Sequence, residues 1–164
     1  MRYGKRRIKI MSLKKKILLG LVMGIIAIQF IQPDRNKRDK VLPADIINTV
    51  AVPNQVLGIL KVSCYDCHSN NTHYPWYSFI QPGAWLMASH IKNGKAMLNF
   101  SQFGNLSDRK QQSKLQGIIN QIKDDEMPLS SYILLHRNAI LTAGQKTILI
   151  SWAASAKDSL SLKN

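Results

Sequence analysis

The chain has only two cysteines, Cys64 and Cys67, three residues apart, and His68 follows at once: Cys64-Tyr65-Asp66-Cys67-His68. Cysteines this close cannot staple a fold, because a disulfide between them would close no useful loop. On a helical turn both sulfurs point the same way, as bonding two carbons on one edge of a porphyrin requires. The histidine directly after the second cysteine then lies beneath the ring and can bring an imidazole nitrogen to its iron. The spacing is that of c-type haem attachment, and a shuffled chain of this composition carries it in roughly 3 of 10,000 cases. A fold built this way is organised around one covalent prosthetic group held by Cys64, Cys67 and His68.

Two other chemistries use the same residue types. A thioredoxin-like dithiol places Cys-x-x-Cys beside a βαβ pattern, and no such strands flank this one. A zinc site could draw on Cys64, Cys67, His68 and His73, but the second ligand pair at finger-like spacing is missing. Two structural thiols beside a chance histidine is the remaining reading.

The formal charge of +14, with 23 Lys and Arg against 9 Asp and Glu, first suggests nucleic acid. Its distribution argues otherwise. Eight of the bases precede residue 17, where there is no acid, while residues 41–164 hold 11 bases and 7 acids. A nucleic-acid footprint belongs on the folded domain, so no nucleic-acid partner is expected. The basic block at 1–16 instead introduces residues 17–31, which are apolar apart from Gln29. Fifteen residues at 1.5 Å each span about 22 Å, short of the roughly 30 Å hydrocarbon core. That length suits a signal-peptide h-region, or an uncleaved anchor lengthened by snorkelling lysines, and the poor cleavage context favours the anchor. The charge asymmetry puts the N-terminus in the cytoplasm and the body beyond the membrane, which in a bacterium is the periplasm. Residues 32–43 are polar, charged and bounded by prolines, and read as a linker. Residues 44–164 form the domain.

That domain reads as all-α. After Pro53, Asn54 can cap a helix with Val56, Leu57, Ile59 and Leu60. Gly83 to Met97 continues in helical register, with Gly94 a weak point. After Ser107, Leu115, Ile118, Ile119 and Ile122 form one stripe at 3.6-residue spacing. Met127-Pro128 breaks the pattern, because proline lacks a donor and disfavours helix before it. A short helix is expected near Ser131–His136. Thr142-Ala143-Gly144-Gln145 matches a capping box ahead of a last helix with Leu149, Trp152 and Ala156.

The sixth iron position has two candidates. Met127, in a loop stiffened by Pro128, would offer a neutral thioether, although most methionines simply fill cores. His90, in an otherwise apolar helix, would offer an imidazole. Tyr74-Pro75-Trp76-Tyr77, with Phe79, reads either as a wall shielding the prosthetic group or as ordinary core. Asp124-Asp125-Glu126 reads as a solvated edge. Lys92, Lys95, Arg109, Lys110 and Lys114 read as a solvated face or a docking face for an acidic redox partner.

From about Ala44 to Ser155 the chain resembles the bacterial haem-binding domain family common in Bacteroidetes-type bacteria, related to cytochromes c. The resemblance rests on Cys64 to Asn70, Tyr74-Pro75-Trp76-Tyr77, Pro82, Trp85, His90, Gly94, Asn99-Phe100-Ser101, Met127-Pro128, Tyr132, His136 and Trp152. It implies a small cytochrome c-like helical domain around one covalent haem c, anchored or exported. Met127-Pro128 is similar to the distal-ligand pair of class I cytochromes c. Where the family often has a second proline, this chain has Leu129. The expected function is a membrane-tethered electron carrier rather than an enzyme. The alternatives are a haem peroxidase or sensor with an exchangeable sixth ligand, and a zinc-binding membrane adaptor.

Overall fold

The computed structural model describes residues 12–38 and 40–162, and among them every regular element is helical. In chain order these are α1 (Leu13–Ile28), α2 (Ile46–Thr49), α3 (Asn54–Ser63), α4 (Tyr65–His68) and α5 (Gly83–Met97). They continue with α6 (Asp108–Lys123), α7 (Ser130–Ile133) and α8 (Ala143–Ser161), and short 3-10 turns cover Trp76–Phe79, Phe100–Asn105 and Arg137–Ala139.

The expected stripe on α6 is the centre of the domain. Leu115, Ile119 and Ile122 are buried there against Leu149, Trp152, Ala153, Ala156 and Leu160 of α8. Val56, Ile59 and Leu60 of α3, Ile46 of α2, and Phe100 and Phe103 complete the same cluster. Burying each large aliphatic side chain contributes roughly 1.5–3 kcal/mol, so this seam carries most of the fold. Trp152 adds a directional tie, its Nε1–H donating to the Ala51 carbonyl at 2.9 Å across the packed layer.

Helix ends follow local chemistry. The capping box at Thr142 is complete: its hydroxyl accepts from the Gln145 N–H, and the Gln145 side chain accepts from the Thr142 N–H. Ser107 occupies the cap position of α6, although its side chain makes no capping bond. Proline 53 stands at the cap of α3, so Asn54 is the first helical residue rather than the cap. The break at Met127-Pro128 separates α6 from α7, which is shorter than expected and ends at Ile133.

The N-terminal segment differs from its expectation in extent. The apolar helix runs Leu13–Ile28 rather than 17–31, leaving Gln29 as its C-cap and Phe30 and Ile31 beyond it. No helix among the described residues is long and apolar enough to cross a membrane. All of α1 from 13 to 27 is exposed. The greater part of the basic stretch 1–16, namely residues 1–11, lies outside the described residues.

The end of the apolar segment and the first half of the segment read as a linker are hydrogen-bonded to the domain. Gln29 exchanges bonds with Gln81, its Oε1 accepting from the Gln81 N–H at 2.9 Å. The Ile31 carbonyl accepts from Gln81 Nε2 at 2.7 Å and from Trp85 Nε1 at 3.0 Å. The Asn36 side-chain amide donates to the Ser69 carbonyl and Thr72 Oγ1, both at 2.8 Å, and its N–H donates to the Tyr74 hydroxyl at 2.7 Å. Polar composition there serves pairing with the domain, not slack.

Candidate functional site

The five residues of the cysteine motif are Cys64, at the junction of α3 and α4, and the four residues of α4. Cys64 ends α3, its N–H bonded to the Leu60 carbonyl, and its non-helical backbone (φ −131°, ψ −39°) turns the chain into α4. The Cys64 carbonyl then accepts from the N–H groups of Cys67 (3.2 Å) and His68 (3.0 Å), closing one tight turn around all three side chains. Helix α5 packs directly on this turn. A Cβ at Gly94 would lie 2.7 Å from the Cys67 carbonyl oxygen, so only glycine admits the observed approach. The weak point of α5 is thus a contact that needs a missing side chain.

His68 is oriented by the segment after α5. Its Nδ1 lies 3.0 Å from the Leu98 carbonyl, which can only accept, so Nδ1 carries the proton and Nε2 keeps its lone pair. The ring also meets buried Phe100 edge-on at 6.2 Å, and Tyr65 stacks on Phe100 at 5.1 Å. Burial lowers the His68 pKa from its usual 6.5, opposed by hydrogen bonds to the Leu98 and Gly94 backbone, and so favours the neutral ring that a metal requires. Burial likewise pushes the thiols up, Cys64 to about 12 with a contribution from Cys67, and Cys67 to about 11 with one from Asp66. Both are free cysteines. Thiols held protonated do not suit a low-pKa redox dithiol. Among the described residues, no three His, Cys, Asp or Glu side chains are grouped so as to hold a metal ion.

Asp66, between the cysteines, anchors the surroundings. Its Oδ1 accepts from the His73 N–H (2.9 Å), its Oδ2 from the Tyr132 hydroxyl (2.8 Å), and its carbonyl from the Thr72 hydroxyl (2.6 Å). A ring stack extends this network: Tyr132 lies on His136 at 4.0 Å, and His136 Nδ1 donates to the Tyr132 carbonyl at 3.0 Å. His136 Nε2 is then an acceptor and receives the Tyr77 hydroxyl at 3.0 Å. Burial and the Asp66 carboxylate raise the pKa of Tyr132 well above 10, and burial raises that of Tyr77.

The remaining predicted residues fall as follows. Met127 is half-buried in the turn after α6, its N–H bonded to the Gln121 carbonyl at 3.2 Å. His90 is half-buried on α5, one helical turn before Gly94 and on the same stripe. Neither takes part in the hydrogen bond or ring contact that orients His68. None of the aromatics Tyr74, Trp76, Tyr77 and Phe79 joins the core cluster, and Trp76 is 76% exposed. Asp124, Asp125 and Glu126 are exposed, Asp125 pairing with Lys146. Lys95 donates to Asn36 Oδ1 at 2.6 Å and is not free for docking. A cleft of about 610 Å³ touches Tyr65 and Asp66 but neither cysteine nor His68. The sequence reading missed the roles of Asp66, Tyr132, His136 and Asn36. The position of Asp66 inside the motif, and the place of Tyr132 and His136 among the residues of the family resemblance, were the available signals.

The donor set fits a haem. Two thiols share one turn, an imidazole beside them carries its proton on Nδ1 and its lone pair on Nε2, and α5 is held close by a glycine. A family model described as a haem-binding domain matches residues 23–155. No curated protein and no solved structure matches the chain.

Proposed function

The chain belongs to the haem-binding domain family, and from that membership we propose that it is a mono-haem c-type protein that relays single electrons from the periplasmic side of a bacterial inner membrane. Cys64 and Cys67 would form the two thioether bonds, and His68 Nε2 would be the proximal iron ligand. Bound there, the haem supplies a one-electron couple between Fe(II) and Fe(III).

The protein's own part is orientation and exclusion. The Leu98 carbonyl holds the tautomer and ring direction of His68, the outer-shell arrangement that raises ligand basicity. Gly94 seats the cysteine turn against α5, and Asp66 ties that turn to the loop 69–75 and to α7. Met127 is the distal ligand in this reading, with His90 the alternative on the α5 stripe. The observation that carries the reading is the His68 Nδ1 bond to the Leu98 carbonyl, which fixes the ring proton on Nδ1 and leaves the lone pair on Nε2.

Membrane attachment rests on α1, whose apolar residues are exposed from 13 to 27, and on the basic residues before it. The redox partner is a protein at the same membrane.

Equilibrium redox titration of the matured full-length protein tests the relay. A single reversible one-electron transition, with the reduced form inert to carbon monoxide, is expected. Rapid carbon monoxide binding without denaturant would instead mark an exchangeable sixth position and a sensor or peroxidase function.

A further inference from the structure

The end of α1 is not separated from the domain by free chain. Gln29, its C-cap, is bonded to Gln81 in both directions, and the Ile31 carbonyl accepts from Gln81 and Trp85. Gln32 Nε2 adds a bond to the Phe79 carbonyl at 3.3 Å. These ties gather five large apolar side chains around the exit of the helix. Phe30 is 83% exposed, Ile31 61%, Phe79 55%, Ile80 50% and Trp85 39%. The Arg35 guanidinium lies over the Phe79 ring at 4.1 Å, capping the cluster with a cation.

From this arrangement we propose that the domain rests on the lipid bilayer through a collar formed by Phe30, Ile31, Phe79, Ile80 and Trp85. The proposal rests on the anchoring of α1 argued above and adds a second, direct contact. Three physical arguments select a bilayer as the occupant. The collar is continuous with an exposed apolar helix, so whatever solvates α1 reaches it. Its composition is that of an interfacial belt, aromatic rings with a flanking arginine at headgroup level. It also answers a mismatch of length. Sixteen helical residues span about 24 Å against a hydrocarbon core of roughly 30 Å, and a collar sunk into the interface supplies apolar depth that α1 lacks. The consequence for function is orientation: the domain is held in one pose above the membrane, not swung on a tether.

The test uses the full-length matured protein in phosphatidylcholine–phosphatidylglycerol vesicles, with p-benzoylphenylalanine replacing Phe79, Ile80, Val22 or Lys110 in separate preparations. All four positions are exposed, so the fold is retained. After illumination, mass spectrometry should find lipid adducts at Val22, Phe79 and Ile80 about ten-fold above those at Lys110. Adducts at Val22 with Phe79 and Ile80 no higher than Lys110 would overturn the docking while leaving the anchor intact. Adducts of Phe79 or Ile80 to protein instead of lipid would also overturn it, in favour of a protein interface. No lipid adduct at Val22 would remove the anchoring itself, and the docking with it.

Discussion

Gly94 and Cys67 meet across the α4–α5 contact so closely that a Cβ on the glycine would lie 2.7 Å from the Cys67 carbonyl oxygen and 3.1 Å from its Cβ. The obstacle is backbone, which cannot swing aside as the tip of a side chain can. A residue that costs helix propensity in α5 is therefore what lets that helix support the turn carrying Cys64, Cys67 and His68.

Gly94→Ala should move α5 off that turn and lower stability by about 1–3 kcal/mol, the usual cost of overpacking. The same displacement loosens Leu98, whose N–H donates to the Gly94 carbonyl at 2.8 Å, and with it the hold on His68. Thermal melts and the yield of covalently loaded protein both report it. A Gly94→Ala protein with unchanged melting and unchanged loading would show that the approach is not needed.

Tyr132 ties α7 to the cysteine turn through Asp66, and its raised pKa sets a direction for alkaline behaviour. A group whose proton is held more tightly when folded adds stability that is complete below its unfolded pKa, near 10, and is lost as pH rises through the higher folded value. Above pH 10 the native protein should therefore weaken with rising pH, and Tyr132→Phe should flatten that slope. At neutral pH the same substitution removes a charge-assisted bond and should cost about 1.5–3 kcal/mol. Denaturant melts from pH 7 to 11 check both effects.

Asn36 joins the segment after α1 to the domain by side-chain bonds to Ser69, Thr72 and Lys95. Asn36→Ala should cost about 1–3 kcal/mol and speed amide exchange at Thr72, whose N–H donates to the Asn36 carbonyl. A loss below about 0.5 kcal/mol would mean that this segment adds nothing to the fold.

Met127 and His90 are separated by their spectra. Met127→Ala should abolish the weak band at the red edge that thioether ligation gives and open the reduced iron to carbon monoxide, while His90→Ala leaves both unchanged. The reverse pattern would make His90 the distal ligand.

Much of the helical layout was legible in the sequence because it depends on local chemistry. Gly83–Met97 keeps its expected bounds, and Thr142 and Gln145 form their box, since periodicity and capping act within a few residues. The turn at Tyr65–His68 is local too, although Cys64 stands at its head in a non-helical conformation and not on a helical turn with Cys67 as expected. The supports around it were not legible. Tyr132 finds Asp66 across 66 positions and Asn36 finds Ser69 across 33, and polar pairs at such separations leave no periodic trace. Gly94 was read as a flaw in α5 because its reason lies on another helix.

The most direct test of the central claim is the intact mass of the full-length protein, made in cells with a working cytochrome c maturation apparatus. The mass of the polypeptide plus one haem is expected, surviving extraction with acidified acetone, with loading reduced by Cys64→Ala and by Cys67→Ala. A colourless protein at polypeptide mass alone, or a haem removed by that extraction, would contradict it.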